Sequence, residues 1–397
     1  MKKFKIVAIA LAGMSSTAYA QTTLGVTANQ NAVGAVLTAP IGIPDVETQT
    51  LITAATVADP MIRSSALAQL SPQAYSLLPE IALNGVELQE TNILRYVRDL
   101  RGNAERPDGS EVSTERLGRV GFFALGGARF GNYDAATDRP RVKNDNYAFM
   151  GGADFRLTPK TTIGAFGGWQ QSDVDLAPGP VPAPTKLRSW FAGGFGTAGV
   201  GPVYVDFWGS YNDLDWTLNR GYAFGDTSAS LSAKTDGRVW AAGVATGLSF
   251  SAGNFEIEPF ATLRYADIKI DGFSESGSPA ALNVSQIDAE SLRLNLGGRI
   301  GTKFEAGNVT VRPQLRGGWY REFKLDDPRT ISASFRSAAV NTPFAFVTSP
   351  LTNEYYNAGA ALNIAGTGPV SMVVDYDVQF DDDRQFHALS LSARFKF

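Results

Sequence analysis

The sequence predicts an all-β chain closed into a transmembrane up-and-down antiparallel β-barrel of about twelve strands. Three observations predict it. First, the C-terminal stretch alternates: Leu389, Leu391, Ala393, Phe395 and Phe397 are apolar, and Ser390, Ser392, Arg394 and Lys396 between them are polar. Successive side chains of a strand point to opposite faces, so this strand has one apolar and one wet face. Second, tight turns alternate with long polar connections, as they do between the two rims of a transmembrane barrel. Third, no run after the first twenty residues reaches the roughly 18 apolar residues of a membrane helix, so any span must be a strand.

Residues 1–20 read as an export signal. Lys2, Lys3 and Lys5 form its basic region, Ile6 to Gly13 its apolar core, and Ala18-Tyr19-Ala20 a small-x-small cleavage site, so the mature chain is expected to start at Gln21. With a net charge of -4, nothing suggests a nucleic-acid partner, and without cysteine there are neither disulfides nor thiolate metal sites. The 41 glycines and 24 phenylalanines, with only 19% charged residues, fit a curved sheet with aromatic girdles.

Residues 21–60 are poor in charge and rich in Ala, Val and Thr. They offer one weak helix, from 28 to 38, before Pro40 and Pro44. The stretch is too small to hold a domain of its own. Ser71-Pro72 is a helix start, with Ser as N-cap and Pro at the first position. A further helix follows Pro79 and runs to Leu100, with Glu80 in its first turn, Arg95, Arg98 and Arg101 towards its end, and Gly102 as its stop. Some 22 residues span roughly 33 Å, enough to cross an apolar band of about 25 Å. Asn84, Glu87, Gln89, Glu90 and Asn92 are spread around it. That distribution suits a helix in a polar channel, and an ordinary surface helix packed on a sheet is the other reading.

From about Arg119 onward the chain reads as strands. In 291–302, Leu292, Leu294, Leu296 and Ile300 oppose Ser291, Arg293, Asn295 and Arg299. In 309–320, Val309, Val311, Pro313, Leu315 and Trp319 oppose Thr310, Arg312, Gln314 and Arg316. In 370–381, Met372, Val374, Tyr376 and Val378 oppose Ser371, Asp375, Asp377 and Gln379. The 187–196 stretch is ambiguous. A sandwich core does not accept such charged faces. Trp169, Tyr211, Trp240, Tyr265 and Trp319 near strand ends suit a membrane interface. Tight turns at Thr158-Pro159, Gly199-Val200, Gly253-Asn254, Gly307-Asn308 and Gly366-Thr367 alternate with long connections at about 131–145, 173–186, 213–237, 267–290 and 321–354.

With these residues laid out, the chain resembles the translocator domain of monomeric autotransporters (type V secretion). Ala66-Leu67-Ala68-Gln69-Leu70-Ser71-Pro72-Gln73-Ala74-Tyr75 is similar to that family's segment before the barrel, and Val374-Asp375-Tyr376-Asp377 through His387 to Phe397 is similar to its last hairpin. The resemblance implies an outer-membrane, monomeric, twelve-stranded barrel in a Gram-negative bacterium, with a helix threaded through the pore. It also implies delivery by periplasmic chaperones and insertion by the outer-membrane barrel assembly machinery. That machinery would read Phe397, Phe395, Leu391 and Leu389. Asn29-Gln30-Asn31-Ala32-Val33 resembles the family's linker, which leaves almost nothing upstream as a passenger. The expected divisions are a signal peptide (1–20), a short N-terminal stub (21–60), a linker and pore helix (61–103) and the barrel (116–397). The helix holds no Asn-Asn pair like the one some relatives use for self-cleavage, so release is not expected.

The single histidine, His387, falls by parity on the lipid side, which disfavours an outer-membrane hydrolase. No cofactor or metal site is expected, and Asp381-Asp382-Asp383 reads as a solvated turn. Arg264, Arg293, Arg299, Arg312, Arg316 and Arg394 all fall on the lumen face. A helix that plugs the barrel would bring Glu80, Glu87 and Glu90 to these arginines by charge-assisted hydrogen bonds. The functional expectation is a helix-plugged pore that exports an N-terminal segment. The alternative is a stand-alone channel, or a surface protein that binds through its long external loops.

Overall fold

The structure, a computed structural model, describes residues 26–39, 42–102, 119–177, 181, 183–224, 226–307, 309–366 and 370–396. The export signal, Phe397, and the start of the expected barrel division at 116–118 lie outside the described residues.

Twelve long strands form one closed antiparallel barrel. They are β1 (Val120–Tyr133), β2 (Arg141–Thr158), β3 (Thr161–Ala177), β4 (Pro184–Val200), β5 (Val203–Phe224) and β6 (Thr227–Leu248). Then follow β7 (Phe255–Ile270), β8 (Ile287–Thr302), β9 (Val309–Glu322), β10 (Glu354–Gly366), β11 (Val370–Phe380) and β12 (Arg384–Lys396). Each strand pairs with its neighbours in sequence, and β12 closes on β1 with Phe395 opposite Phe122 and His387 opposite Phe130. Closure leaves no long barrel strand with a free edge, as hydrocarbon requires of every backbone amide.

The period of two sorts the side chains. Leu263, Leu296, Ile300, Leu315, Val374, Leu389 and Leu391 lie exposed on the outer wall. A girdle of aromatic residues rings its upper edge. Trp169 faces Trp190, Tyr211 faces Trp240, and Trp319 faces Tyr356, which in turn faces Phe380. Tryptophan and tyrosine settle where apolar chains meet head groups, so this ring marks one membrane interface. On the inner wall of β1 to β4 the repeated glycines make room for rings. Phe123 lies across Gly152, Phe195 across Gly164, Phe191 across Gly168 and Phe166 across Gly193, each directly opposite its partner in the sheet. That explains the ambiguity of 187–196: β4 buries Leu187, Phe191 and Phe195 inside the barrel and exposes Trp190 outside.

Four helices precede the barrel: α1 (Ala28–Thr38), α2 (Val46–Thr56), α3 (Pro60–Leu70) and α4 (Leu78–Gly102). Thr27 and Gln30 form a reciprocal capping box on α1, Asp45 caps α2, and Asp59 caps α3 with Pro60 in its first turn. The stub at 21–60 is therefore more structured than the expected single helix. The Asp-capped starts of α2 and α3 are signals in the sequence that the single-helix expectation left out. Ser71 caps a 3-10 turn over Pro72–Tyr75, and Pro79 sits in the first turn of α4, where its missing amide costs nothing.

Three of the long connections are also more ordered than expected. The 213–237 region is not a loop, because β5 and β6 continue as a tall hairpin with Leu214, Trp216, Leu218, Leu231 and Val239 buried on its inner side. The connections at 267–290 and 321–354 supply Phe273–Ser274, Leu282–Val284, Thr330–Phe335 and Phe344–Val347 to a small four-stranded sheet beyond the barrel rim. Helix α1 packs on this sheet, α3 on β5 and α2 on the other two helices, and Val33, Leu37, Leu51, Leu67, Phe335, Phe344 and Phe346 share one buried cluster. Together they form a cap over the rim that carries the long connections.

Candidate functional site: the plugged lumen

The α4 helix is 25 residues long, about 38 Å at 1.5 Å per residue, and it lies inside the barrel. From Leu78 to Leu100 nearly every residue is buried, polar and apolar alike. A helix buried all round with carboxylates and amides on several faces needs a partner for each of them, and the inner wall provides most of these.

At its N-terminal end, under the cap, Arg329 donates to Glu80 at 2.7 Å and to the Ser76 carbonyl at 3.1 Å. Tyr133 of β1 donates to Asn84 at 3.1 Å. Tyr75, just before α4, donates to Glu275, which Arg220 of β5 also holds at 2.6 and 2.9 Å.

Midway, Arg293 of β8 donates to Glu87 and, at 2.6 Å, to Glu90. Arg264 of β7 reaches Glu90 at 3.4 Å, Arg129 of β1 lies 3.3 Å from Glu87, and Gln379 of β11 donates to Glu87 at 2.8 Å. On the opposite face Gln89 donates to Gln170 at 3.1 Å and to Asn212 at 2.6 Å, and accepts from Ser210 at 3.2 Å. Gly85 lies so close to Gln170 that a β-carbon there would overlap the glutamine amide. Polar bonds on both sides fix the helix in register and rotation.

Towards the rim of short turns, Arg95 pairs with Asp375 at 2.7 Å. Tyr96 donates to Asp154, which Arg394 of β12 also holds at 2.9 Å, and its ring packs 4.2 Å from that of Phe123. Arg101 donates to Asp206 and to Thr197, and Asn363 donates to Asp99. These partnerships join the second half of α4 to the lower barrel wall.

The six arginines singled out in the sequence divide three ways. Arg264 and Arg293 meet the helix carboxylates Glu87 and Glu90. Arg299, Arg316 and Arg394 pair with the wall residues Glu258, Asp375 with Asp377, and Asp154. Arg312 makes no ion pair within 4 Å among the described residues. Glu80 meets none of the six. It sits seven residues above Glu87, roughly 10 Å along the helix, and takes Arg329 from the external connection instead. Sequence reasoning missed Arg129 and Asp154, and it assigned no partner to Gln89. Arg129 shares its parity with the apolar Phe123 and Leu125, which are buried inside the barrel, so parity read from the sequence would have placed it on the lipid face. The remaining terminal positions Leu389, Leu391 and Phe395 face outward. On the same face, His387 Nδ1 lies 2.7 Å from the Tyr376 hydroxyl. The Asp381–Asp383 run is a bonded turn, with Asp383 accepting from Arg139 at 2.5 Å and from Thr352.

The arrangement is a pore filled by a helix that ion pairs hold to the wall. Its architecture is similar to the translocator domain of the autotransporter NalP from Neisseria meningitidis, with a TM-score of 0.59 at 15% identity over 81% of this chain and 99% of that one. The β domain of the Bordetella autotransporter BrkA gives a TM-score of 0.52 at 17% identity over 70% of this chain and 100% of that one. In sequence, the chain is 25% identical to the esterase EstA of Pseudomonas aeruginosa over 280 residues, 68% of this chain and 40% of the esterase. It is 19% identical to an extracellular serine protease of Serratia marcescens over 310 residues, 78% of this chain and 29% of the protease. The chain thus spans less than half the length of these curated relatives. The family model of the autotransporter β-domain matches residues 122–377, more than half of the sequence, and the chain belongs to that family of outer-membrane translocator barrels.

Proposed function

We propose that this protein carries its own N-terminal segment across the outer membrane through the barrel and then holds the pore shut with α4. One observation carries the reading: the direction of α4. Its C-terminus lies at the rim of short turns, beside Thr197 and Asp206, and its N-terminus at the rim of long connections. Short turns mark the periplasmic side of an outer-membrane barrel and long loops the external side. The described residues before Leu78 therefore sit outside the cell, as they would after export through the lumen. Export of the precursor by its N-terminal signal, delivery by periplasmic chaperones and insertion by the barrel assembly machinery complete the pathway. The outward aromatic and leucine residues of β12 support recognition by that machinery. The work of the barrel is passage and closure, with no covalent chemistry.

The test is single-channel conductance of the refolded protein in a planar bilayer, with and without residues 21–103. A small conductance that becomes a large, steady one on deletion is expected. Equal conductance in both forms overturns the plug. The well-packed cap also favours a second reading, in which the external helices and loop sheet bind a partner at the surface.

A further inference from the structure

Three cavities line up along one side of α4. The first, about 40 Å³, lies among Glu80, Arg264, Arg293 and the external residues Asp326 and Thr352. The second, about 70 Å³, lies among Glu87, Arg293, Arg299, Arg316 and Asn357. The third, about 420 Å³, lies at the periplasmic mouth among Arg98, Arg101, Arg312 and Gln314. The first and second share Glu87, Arg129 and Arg293, and the second and third share Arg95 and Arg98. Side chains therefore separate each cavity from the next. All three touch the arginine-bearing wall of β7 to β11; the first two also reach Arg129 of β1, and the third reaches Gly199 of β4 and Tyr204 of β5.

Polar atoms without a protein partner occur on several parts of the inner wall, and some of them line these cavities. Arg264 Nε, Arg299 Nε, Arg312 Nε, Asn295 Oδ1, Asn357 Oδ1 and Gln314 Oε1 are buried and find no hydrogen bond in the protein. Their residues line the cavities. Buried groups of this kind are satisfied by water, and even the smallest of these cavities is large enough to hold it. Charge is uneven along the line. Among the described residues, the external cavity is bordered by four arginines and four carboxylates, the middle one by six arginines and three carboxylates, and the periplasmic one by six basic residues and three carboxylates.

We propose that the barrel conducts small anions while α4 is still in place, along a hydrated path between α4 and the β7–β11 wall. The ligand class is a small monovalent anion such as chloride. Pore selectivity follows from fixed charge close to the path, and here the inner two thirds carry an excess of cations. Arg98 borders both larger cavities and makes no hydrogen bond or ion pair within 4 Å among the described residues; the Glu258 and Asp375 carboxylates act on its charge only from farther off. The first two cavities are divided by the side chains they share, Glu87, Arg129 and Arg293. Conduction there follows side-chain rearrangement and does not require departure of the helix. The neutral external end and cationic periplasmic end make the current depend on the sign of the voltage.

The inference rests on the helix lying in the lumen, and its test separates from that of the plug. The intact mature protein is placed in a planar bilayer under a tenfold potassium chloride gradient. A small current that reverses near the chloride equilibrium potential is expected. Arg98→Gln combined with Arg312→Gln should move the reversal several-fold towards potassium in permeability ratio, while the current stays small. A current reversing near the potassium potential, no current at all in the intact protein, or a reversal unmoved by the double substitution overturns the anion path. None of these outcomes touches the plug reading, which is judged by the rise in conductance when residues 21–103 are deleted.

Discussion

Arg95 of the pore helix and Asp375 of β11 form a buried ion pair, 2.7 Å apart, that ties the plug to the last hairpin of the barrel. Asp375 also accepts two bonds from Arg316 at 2.6 Å, so one carboxylate answers two cations. Replacing Asp375 by Asn leaves Arg95 buried without a counter-charge, while Arg316 keeps Asp377. Removing one partner of a buried pair costs roughly 3–5 kcal/mol. That cost falls on the docked helix, so pore openings should become at least about tenfold more frequent, a factor worth 1.36 kcal/mol. Asp377→Asn is the control, since Asp377 bonds Arg316 and not α4. Equal effects from both substitutions would locate the change in the barrel wall, and the pair would not be a latch.

Glu87 and Glu90 carry a denser part of the same interface. Between them they answer Arg129, Arg264 and Arg293. Replacing both by Gln keeps the shape and leaves three arginines facing neutral amides. The arginines repel one another once their counter-charges are gone, and the helix is the part able to leave. Single-channel recording of the double variant should show higher mean conductance than the parent. Unchanged conductance would mean that these carboxylates do not hold the plug.

The barrel was legible because its outer wall is uniform. Leu315, Ile300, Val374 and Leu389 alternate with polar residues wherever the lumen is charged, and the period of two shows through. It fails in β4, where Phe191 and Phe195 face the helix and Trp190 faces lipid, so both faces look apolar. The tall β5–β6 hairpin was misread for a related reason. Asp213, Asp215 and Asn219 stand on its wet outer side, and the Leu214, Trp216 and Leu218 stripe between them packs under a cap that local sequence does not announce. Within the site, charge and parity identified Glu87, Glu90, Arg264 and Arg293. Parity cannot say at what height along the helix each carboxylate sits, and Glu80 accordingly found Arg329 instead of a lumen arginine.

Gly85 tests whether close approach sets the rotation of α4. Glycine costs about 1 kcal/mol relative to alanine within a helix, so a glycine here needs a packing reason. The Gln170 amide, fully buried and bonded to Gln89, occupies the space a β-carbon would take. Gly85→Val should therefore destabilise the docked helix and raise the open fraction of the pore. Adding Gln170→Ala should bring it back towards the parent. Failure of the second substitution to rescue the first would remove Gln170 as the reason for the glycine.

Leu315 tests the lipid boundary. It is 62% exposed on the outer wall of β9, four residues below Trp319 in the girdle. A charged residue at mid-depth on a lipid face costs about 2–4 kcal/mol. Leu315→Arg should lower the stability of the refolded barrel by that amount in denaturant titration within lipid vesicles. Leu315→Phe should be close to neutral. A neutral arginine would show that this surface does not meet hydrocarbon.

Asn29 tests the cap and, through it, the orientation of the whole molecule. Its side-chain amide accepts from the Val347 N–H at 2.8 Å and donates to the Val347 carbonyl at 2.8 Å, so it completes the edge strand Phe344–Val347 as a neighbouring backbone would. The same amide group donates to Asp138 at 2.9 Å. Asn29→Ala removes all three bonds, each worth about 1 kcal/mol net, and frees a strand edge. The α1–α3 segment should then loosen from the loop sheet while α4, held by its own ion pairs, stays docked. Protease added to intact cells should cut within residues 26–70 faster in the variant than in the parent, with conductance unchanged. Cutting that appears only after the outer membrane is permeabilised would place the N-terminus of α4 on the periplasmic side, and export of the segment would then have to be abandoned.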